Sequence, residues 1–432
     1  MNTQAGASLY APFTYNRRYV VSVDSMNTKT KGAISNSQRP SLTAGLLLLL
    51  TSASCLILAN LYYAQPILGE IAADIGLEHS ATGMIVTMSQ IGYVLGLLFL
   101  APLGDTVENR RLVACMTAGA ACGLLMAGLS NGATLFMAGT LLIGFFAVGT
   151  QILIVFGSGL ADDSSRGRVL GVMGAGLFLG IALARPIASL FAGIAGWRTL
   201  YLAAGALMLL FSIALHHFLP AVKPAGQRMG YAAMFGTMVG LLFTVPRLIP
   251  RILLSAGAFC GFSMFWSTAP LHLLENLHFT HGQVALFAMA GLITPPCVFV
   301  AGRLLDKGWS FRLLILAEGL AVIAWLLASW MPIAVSIVVL AALLIDPAGS
   351  VSTMSIQQSV LSTSLPETRG RLNSLNISLN FCGGALGAAL GPWLYSLYGW
   401  QVMAWTGVAI MLILLMVNLT LRPTLSQTNP HS

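Results

Sequence analysis

Residues Val169–Gly193 read VLGVMGAGLFLGIALARPIASLFAG. All of these side chains are uncharged except Arg185, a permanent cation set deep in the run. A helix of roughly 20 apolar residues crosses a bilayer core, and this stretch is long enough. The rest of the chain follows suit. Of its 432 residues, 57% are hydrophobic and only 8% are charged, against about a quarter charged in a soluble domain. That leaves too little polar surface to coat a soluble particle, so lipid is the solvent for most of the chain. About twelve comparable runs are centred near residues 53, 90, 121, 145, 181, 209, 262, 291, 321, 345, 383 and 411. Backbone groups in lipid must be satisfied internally, which makes helices the default. A membrane β-barrel would show short alternating segments, and these runs are long and continuous. The sequence therefore predicts an all-α membrane protein with 12 transmembrane helices.

The first forty residues are polar and lack the apolar stretch of a cleavable signal. Residues 1–41 are read as a polar leader, within which Met26 is a second candidate start. The six cysteines (Cys55, Cys115, Cys122, Cys260, Cys297 and Cys382) fall in or near apolar runs. That placement suits small packing residues and predicts neither disulfides nor a metal site.

Charge sets the orientation. With the N-terminus in the cytoplasm, 19 of the 21 Lys and Arg residues fall on the cytoplasmic side. They lie in the leader, in loops near 105, 163 and 306, in the linker over 220–250, at Arg369 and Arg371, and at Arg422. Only Arg198 is left outside, and Arg185 lies within a span. Such a bias predicts cytoplasmic N- and C-termini. The net charge of +8 is then a topology signal, and no basic, aromatic-interleaved patch suggests nucleic-acid binding.

The chain also repeats. Arg166-Gly167-Arg168 recurs as Arg369-Gly370-Arg371, an offset of 203. At the same offset Gly180 maps onto Gly383 and Gly196-Trp197 onto Gly399-Trp400, while Asp105 answers to Asp306 at 201. A charged loop motif and a Gly-Trp pair sharing one offset argue for duplication. Two pseudo-symmetric six-helix halves follow, over 42–219 and 251–421, with the linker between them and a tail over 422–432. Parallel repeats of this kind are one plan for transporters.

With these residues in view, the chain resembles the major facilitator superfamily from about Leu42 to Leu421. The loop Ala101-Pro-Leu-Gly-Asp105-Thr-Val-Glu-Asn-Arg110-Arg111 is similar to that family's signature loop between spans two and three, with Ala101 for the usual first glycine and one extra residue before the Arg pair. Its counterpart Gly302-Arg-Leu-Leu-Asp306-Lys307 matches better. The stretches NLYYAQPIL (60–68), RGRLNS (369–374) and NFCGGALG (380–387) resemble a bacterial subgroup of arabinose-efflux-like or drug-efflux-like permeases. Two family features differ. Gly139 or Thr140 stands where span four usually carries an Arg, and Arg185-Pro186 replaces the glycine-proline arrangement of the span-five antiporter signature. The resemblance implies that spans one, four, seven and ten line a central cavity, and that spans two, five, eight and eleven form the interface between halves. Small-x-x-x-small pairs in or near those interface spans (Gly92/Gly96, Gly176/Gly180, Gly257/Gly261 and Gly383/Gly387) suit close helix approach.

Two sets of residues are singled out. Asp105, Arg110, Arg111, Arg166, Arg168, Asp306, Lys307, Arg369 and Arg371 are candidates for a conformational latch that forms only when the cytoplasmic side is shut. The second set faces the membrane interior. Charge at that depth costs at least about 2.5–3.5 kcal/mol per group, and Arg185, Glu318 and Asp346 carry it. Arg185 and Asp346 are expected to share one polar site between the halves, beside prolines 186 and 347, with a broken or bent helix at Asp346. Glu318 is nearer the end of its span and reads as structural. Asn60, Tyr62, Tyr63 and Gln65 in span one, Gln151 in span four, Trp266 in span seven, Asn380 in span eleven, and Gln357 with Gln358 complete the candidate pathway. For the tyrosines an interfacial belt is the ordinary alternative.

The expected function is a secondary transporter that moves a small organic molecule across a bacterial inner membrane by alternating access. Protons couple through Asp346, no cofactor or metal is required, and the protein works as a monomer. Export is favoured by the subgroup resemblance, with proton-coupled uptake as the alternative. An enzyme is disfavoured, since no nucleophile–base set, metal-ligand spacing or phosphate loop appears. His272, His278 and His281 near Glu275 read as solvated loop histidines. A channel suits a two-half repeat with latch loops less well.

Overall fold

The computed structural model describes residues 42–162, 164–222, 236–237, 240–242, 248–330, 335–362 and 369–420, the side chains of Asp105 and Val335 excepted. The leader over 1–41, the tail over 422–432 and most of the linker over 220–250 lie outside the described residues.

Every described element is helical. Ten helical stretches among the described residues are long and apolar enough to cross a membrane, and Ala44–Ala59 is a shorter apolar helix. The Thr43 side chain starts that helix by accepting from Leu46 N at 3.2 Å. The longest stretch, Arg369–Thr420, is two arms that meet at Gly399, where φ is 77° and ψ is 178°. Gly196 turns the chain in the same way, at φ 80° and ψ 155°, between Arg166–Ala195 and Trp197–Phe218. A side chain at such a backbone is strained, so both corners of the repeat require glycine.

Within the first half, Asn109–Gly128 packs against Ala133–Ala147 and Trp197–Phe218. Within the second, Leu248–Glu275 packs against Arg369–Thr420, and Ser310–Ser329 against Val335–Ser362. The first long described helix of the second half is Leu248–Glu275. The halves meet along Met84–Phe99 against Arg369–Thr420, and along Arg166–Ala195 against His281–Ala288 and Thr294–Asp306. Those are the second, eleventh, fifth and eighth apolar runs, the pairing that the resemblance implies. Polar bonds cross the same seam. Thr87 Oγ1 donates to Ala385 O at 3.0 Å, and Gln90 Nε2 donates to Ser263 Oγ at 3.0 Å. Within the second half, a Cβ on Gly383 or Gly387 would run into the backbone of Ala256 or Cys260. Apolar burial gives helices little drive to associate in lipid, so this close backbone approach supplies the cohesion.

Of the broken or bent helix expected at Asp346, the break does not occur. Val335–Ser362 runs on through Pro347, and Arg166–Ala195 runs on through Pro186. One proline removes a single i→i−4 bond, and packed neighbours hold the remaining turns. Two successive prolines do more. Pro295 and Pro296 deny partners to the carbonyls of Gly291 and Leu292, and there the eighth run tightens into a 3-10 turn, Met289–Ile293.

Candidate functional site

Arg185 is completely buried on the Arg166–Ala195 helix. Its Nε donates to Gln65 Oε1 at 2.8 Å and its Nη1 to Asp346 Oδ2 at 3.3 Å. Gln65 belongs to the first half and Asp346 to the second, so the guanidinium joins the two. The guanidinium carbon lies 4.0 Å from the Trp266 ring centroid, 5.2 Å from that of Phe262 and 5.4 Å from that of Tyr62. Aromatic faces attract a desolvated cation, and here they replace part of the water that Arg185 gives up. The pair is neutral as a unit, which is how a charge survives at this depth.

Local backbone brings these groups together. After Ala59 the first helix tightens: Leu61 N donates to Leu58 O at 3.2 Å and Tyr62 N to Ala59 O at 2.9 Å. The short turn Gln65–Ile67 follows, with Pro66 in its first positions. That irregular stretch turns Gln65 inward. Gly291, in the 3-10 turn of the eighth run, leaves room for the carboxylate. A Cβ there would lie 2.6 Å from Asp346 Oδ2 and 3.5 Å from Arg185 Nη1.

Asp346, Tyr62, Phe262 and Gly291 line a cavity of about 300 Å³, within the range of small-molecule sites. Gln151, Asn380 and Gln357 supply amides to its wall, and Phe259 and Phe262 stack there with centroids 5.3 Å apart at 12°. Gln151 Nε2 donates to Tyr93 Oη at 3.2 Å, and Asn380 Oδ1 accepts from Ser255 Oγ at 3.0 Å. Gln151 and Ile377 also line a second cavity of about 270 Å³, which extends to Ala101, Gly104, Asn109 and Arg371. The path from Asp346 thus leads toward the end that carries the Asp105 loop.

The opposite end is closed. His281 Nε2 lies 2.8 Å from Glu70 Oε1, and His79 Nε2 lies 3.5 Å from Glu275 Oε2, both across the halves. Ser189 Oγ adds a bond to His281 O at 2.8 Å. Asp74 ties the same end within the first half. Its Oδ2 accepts from Trp197 Nε1 at 2.9 Å and from Arg198 Nη1 at 2.5 Å. The Trp197 and Arg198 hydrogen bonds hold the Asp74 carboxyl below its ordinary value.

The other expected residues fall into place unevenly. Tyr62 and Tyr63 are buried against protein, 4% and 7% exposed. Asn60 is buried with neither amide atom hydrogen-bonded. Gln358 is exposed. His272 is 8% exposed and stacks on Trp400 at 4.7 Å, so it is a packed helix residue and not a solvated loop histidine. No group of three or more metal-ligating side chains occurs among the described residues. At the open end, Arg110 and Arg111 both pair with Glu108, at 3.2 and 3.4 Å. Arg166 Nε donates to Ser158 O at 3.2 Å. Arg168, Asp306, Lys307 and Arg369 are exposed, and the Asp105 side chain lies outside the described residues. Sequence reasoning missed Gly291, Phe259, Phe262 and Tyr93. Their only sequence signal is a glycine or an aromatic ring inside an apolar run, which is common in any span.

The Major Facilitator Superfamily model matches residues 49–376. The chain is 35% identical over 378 residues to the uncharacterized transporter YgaY of Escherichia coli O157:H7, covering 87% of this chain and 95% of that one. It is 23% identical over 199 residues to the purine ribonucleoside efflux pump NepI of Salmonella typhimurium, covering 44% and 49% of the two chains. The crystal structure of the nucleoside transporter NupG superposes with a TM-score of 0.69 at 15% identity, over 87% of this chain and 98% of that one. At that identity the likeness speaks for the fold. Taken with the two-half architecture and the cavity between the halves, these matches place the chain in the Major Facilitator Superfamily of membrane transporters.

Proposed function

We propose that the protein exports a small, neutral, ring-bearing molecule across a bacterial inner membrane in exchange for protons. One observation carries the reading. A fully buried Arg185 is bonded across the two halves to Asp346, at the wall of a cavity that is open at one end and closed at the other. Excess Lys and Arg assigns the open end to the cytoplasm, so this is the inward-open state. Twelve crossings follow when the two arms that meet at Gly399 count separately and the first helix is carried on through residue 67. Both termini then lie in the cytoplasm.

Rocking of the halves must part Arg185 from Asp346. A carboxylate that loses its cation while it stays dry is neutralised by a proton, and restoring the pair expels that proton. The cavity charges cancel internally, which favours a neutral substrate. The stacked Phe259 and Phe262 rings with the amides of Gln151 and Asn380 favour a planar, hydrogen-bonding one. The Salmonella relative named as a purine ribonucleoside efflux pump supports export and this class of substrate. The exposed Asp306 and Lys307 and the loop that carries Asp105 and its Arg pair latch when the cytoplasmic end closes. The test is accumulation of labelled purine ribonucleosides in cells that overproduce the protein, with and without a protonophore. Overproduction lowers accumulation several-fold and the protonophore abolishes the effect. Unchanged or rising accumulation overturns the reading.

A further inference from the structure

Glu318 stands apart from the central site. It lies on Ser310–Ser329, is 1% exposed, and among the described residues no cation is bonded to it. Asn418 Nδ2 donates to its Oε1 at 2.6 Å, while Oε2 has no partner. Trp325 Nε1 and Ser352 Oγ are among the other buried polar atoms without partners. All three residues line one void of about 10 Å³, closed by Ala258, Gly349 and Met411. Independent orphans on two helices that converge on one space point to a common occupant.

The chemistry of the three atoms selects it. An indole N–H only donates, a carboxyl oxygen accepts or carries a proton, and a hydroxyl does either. The indole donor opposes a metal ion. A void of at least about 10–15 Å³ holds one water, which needs two to four polar partners, and three residues lining this one carry an unpartnered polar atom. Gly349 lines both this void and the central cavity. The void and the cavity therefore share this residue, with the Phe262 side chain packed against it. Ile345, Ala348, Gly349 and Ser352 form one stripe of Val335–Ser362 toward the void, while Asp346, Ser350 and Thr353 line the cavity.

We propose that Glu318, Trp325 and Ser352 bind a single water molecule, and that through it Glu318 is a second proton-binding group of the C-terminal half. A proton from the central cavity passes to the water beside Gly349, and the water passes one of its own to Glu318 Oε2. The reverse step releases it, and no electrons move. The proposal deepens the proton-coupled reading above, but its test needs no substrate.

The test is infrared difference spectroscopy of the purified, reconstituted protein between acid and neutral buffer, in ordinary and oxygen-18 water. Wild type shows a carboxylic-acid C=O band that E318Q loses and D346N keeps, with a water O–H band that shifts in oxygen-18 water. S352V fills the void, removes the water band and moves the C=O band to higher frequency. S352A, which leaves room for the water, keeps both bands. A difference spectrum that E318Q leaves unchanged overturns the proton site. A water band that persists in S352V overturns the water site. A protein that moves no purine ribonucleoside still gives one result or the other, so failure here is distinct from failure of the transport reading.

Discussion

Removing the two charges at the centre of the molecule, singly and together, separates what the Arg185–Asp346 pair does for stability from what it does for transport. Arg185→Met and Asp346→Leu keep most of the volume and remove the charge. Each single change strands the other partner at almost no exposure, and breaking a buried pair costs about 3–5 kcal/mol. The two singles differ. In Asp346→Leu the cation keeps its 2.8 Å bond to Gln65 and the Trp266 face at 4.0 Å, and a desolvated cation–π contact returns about 2 kcal/mol. Its loss falls near the low end, about 3 kcal/mol. In Arg185→Met the carboxylate keeps no other hydrogen bond among the described residues, and the loss falls near about 5 kcal/mol. The double variant strands no charge and leaves only Gln65 Oε1 without its 2.8 Å donor, so it lies about 1–3 kcal/mol below wild type and above Arg185→Met, because apolar replacement of a whole buried pair is itself close to neutral. The assay is the unfolding midpoint of the four purified proteins, alongside transport in vesicles. Stability recovers in the double variant relative to Arg185→Met while transport is absent from all three. Additive losses, with the double variant the least stable, would refute the pairing as the source of the coupling.

Gly291→Ala places a methyl 2.6 Å from Asp346 Oδ2, and overpacking of this kind costs about 1–3 kcal/mol; its unfolding midpoint falls and transport drops with it. Gly399→Ala forces a side chain into φ 77°, costs about 1–3 kcal/mol in strain, and lowers the yield of folded protein in a detergent-stability assay. Glu70→Gln with Glu275→Gln alters both His–Glu contacts that cross the closed end; a cysteine placed at Ser189 then labels faster from that side. Asp74 is held below its ordinary value, so its tie stabilises the fold above about pH 4 and is lost as pH falls through the lowered native value. Half of that side chain is exposed, so screening keeps the effect small. The difference in melting temperature between wild type and Asp74→Asn narrows on acidification.

Composition and run length determined the medium and the helical class. Each is a sum over many residues, and no single contact changes it. The repeat was legible for a related reason. Gly196-Trp197 and Gly399-Trp400 mark corners where only glycine fits the backbone, so the same letters recur at both. The cost of burying Arg185 and Asp346 drew attention to them before any geometry was known, because charge at membrane depth is rare. Their partners were decided only in three dimensions. Gln65, Trp266 and Phe262 reach the guanidinium from other helices, and Gly291 matters because a turn made by two later prolines sets it against a carboxylate. The clasp between Glu70 and His281 joins segments far apart in the chain, and no local pattern encodes it. Glu318 shows the limit most clearly. Its sequence position suggested a structural role, whereas the void it shares with Trp325 and Ser352 exists only where the helices pack. Periodicity tells each helix which face to bury. Which buried polar atoms then meet depends on how the helices are rotated and staggered, and tertiary packing alone sets that.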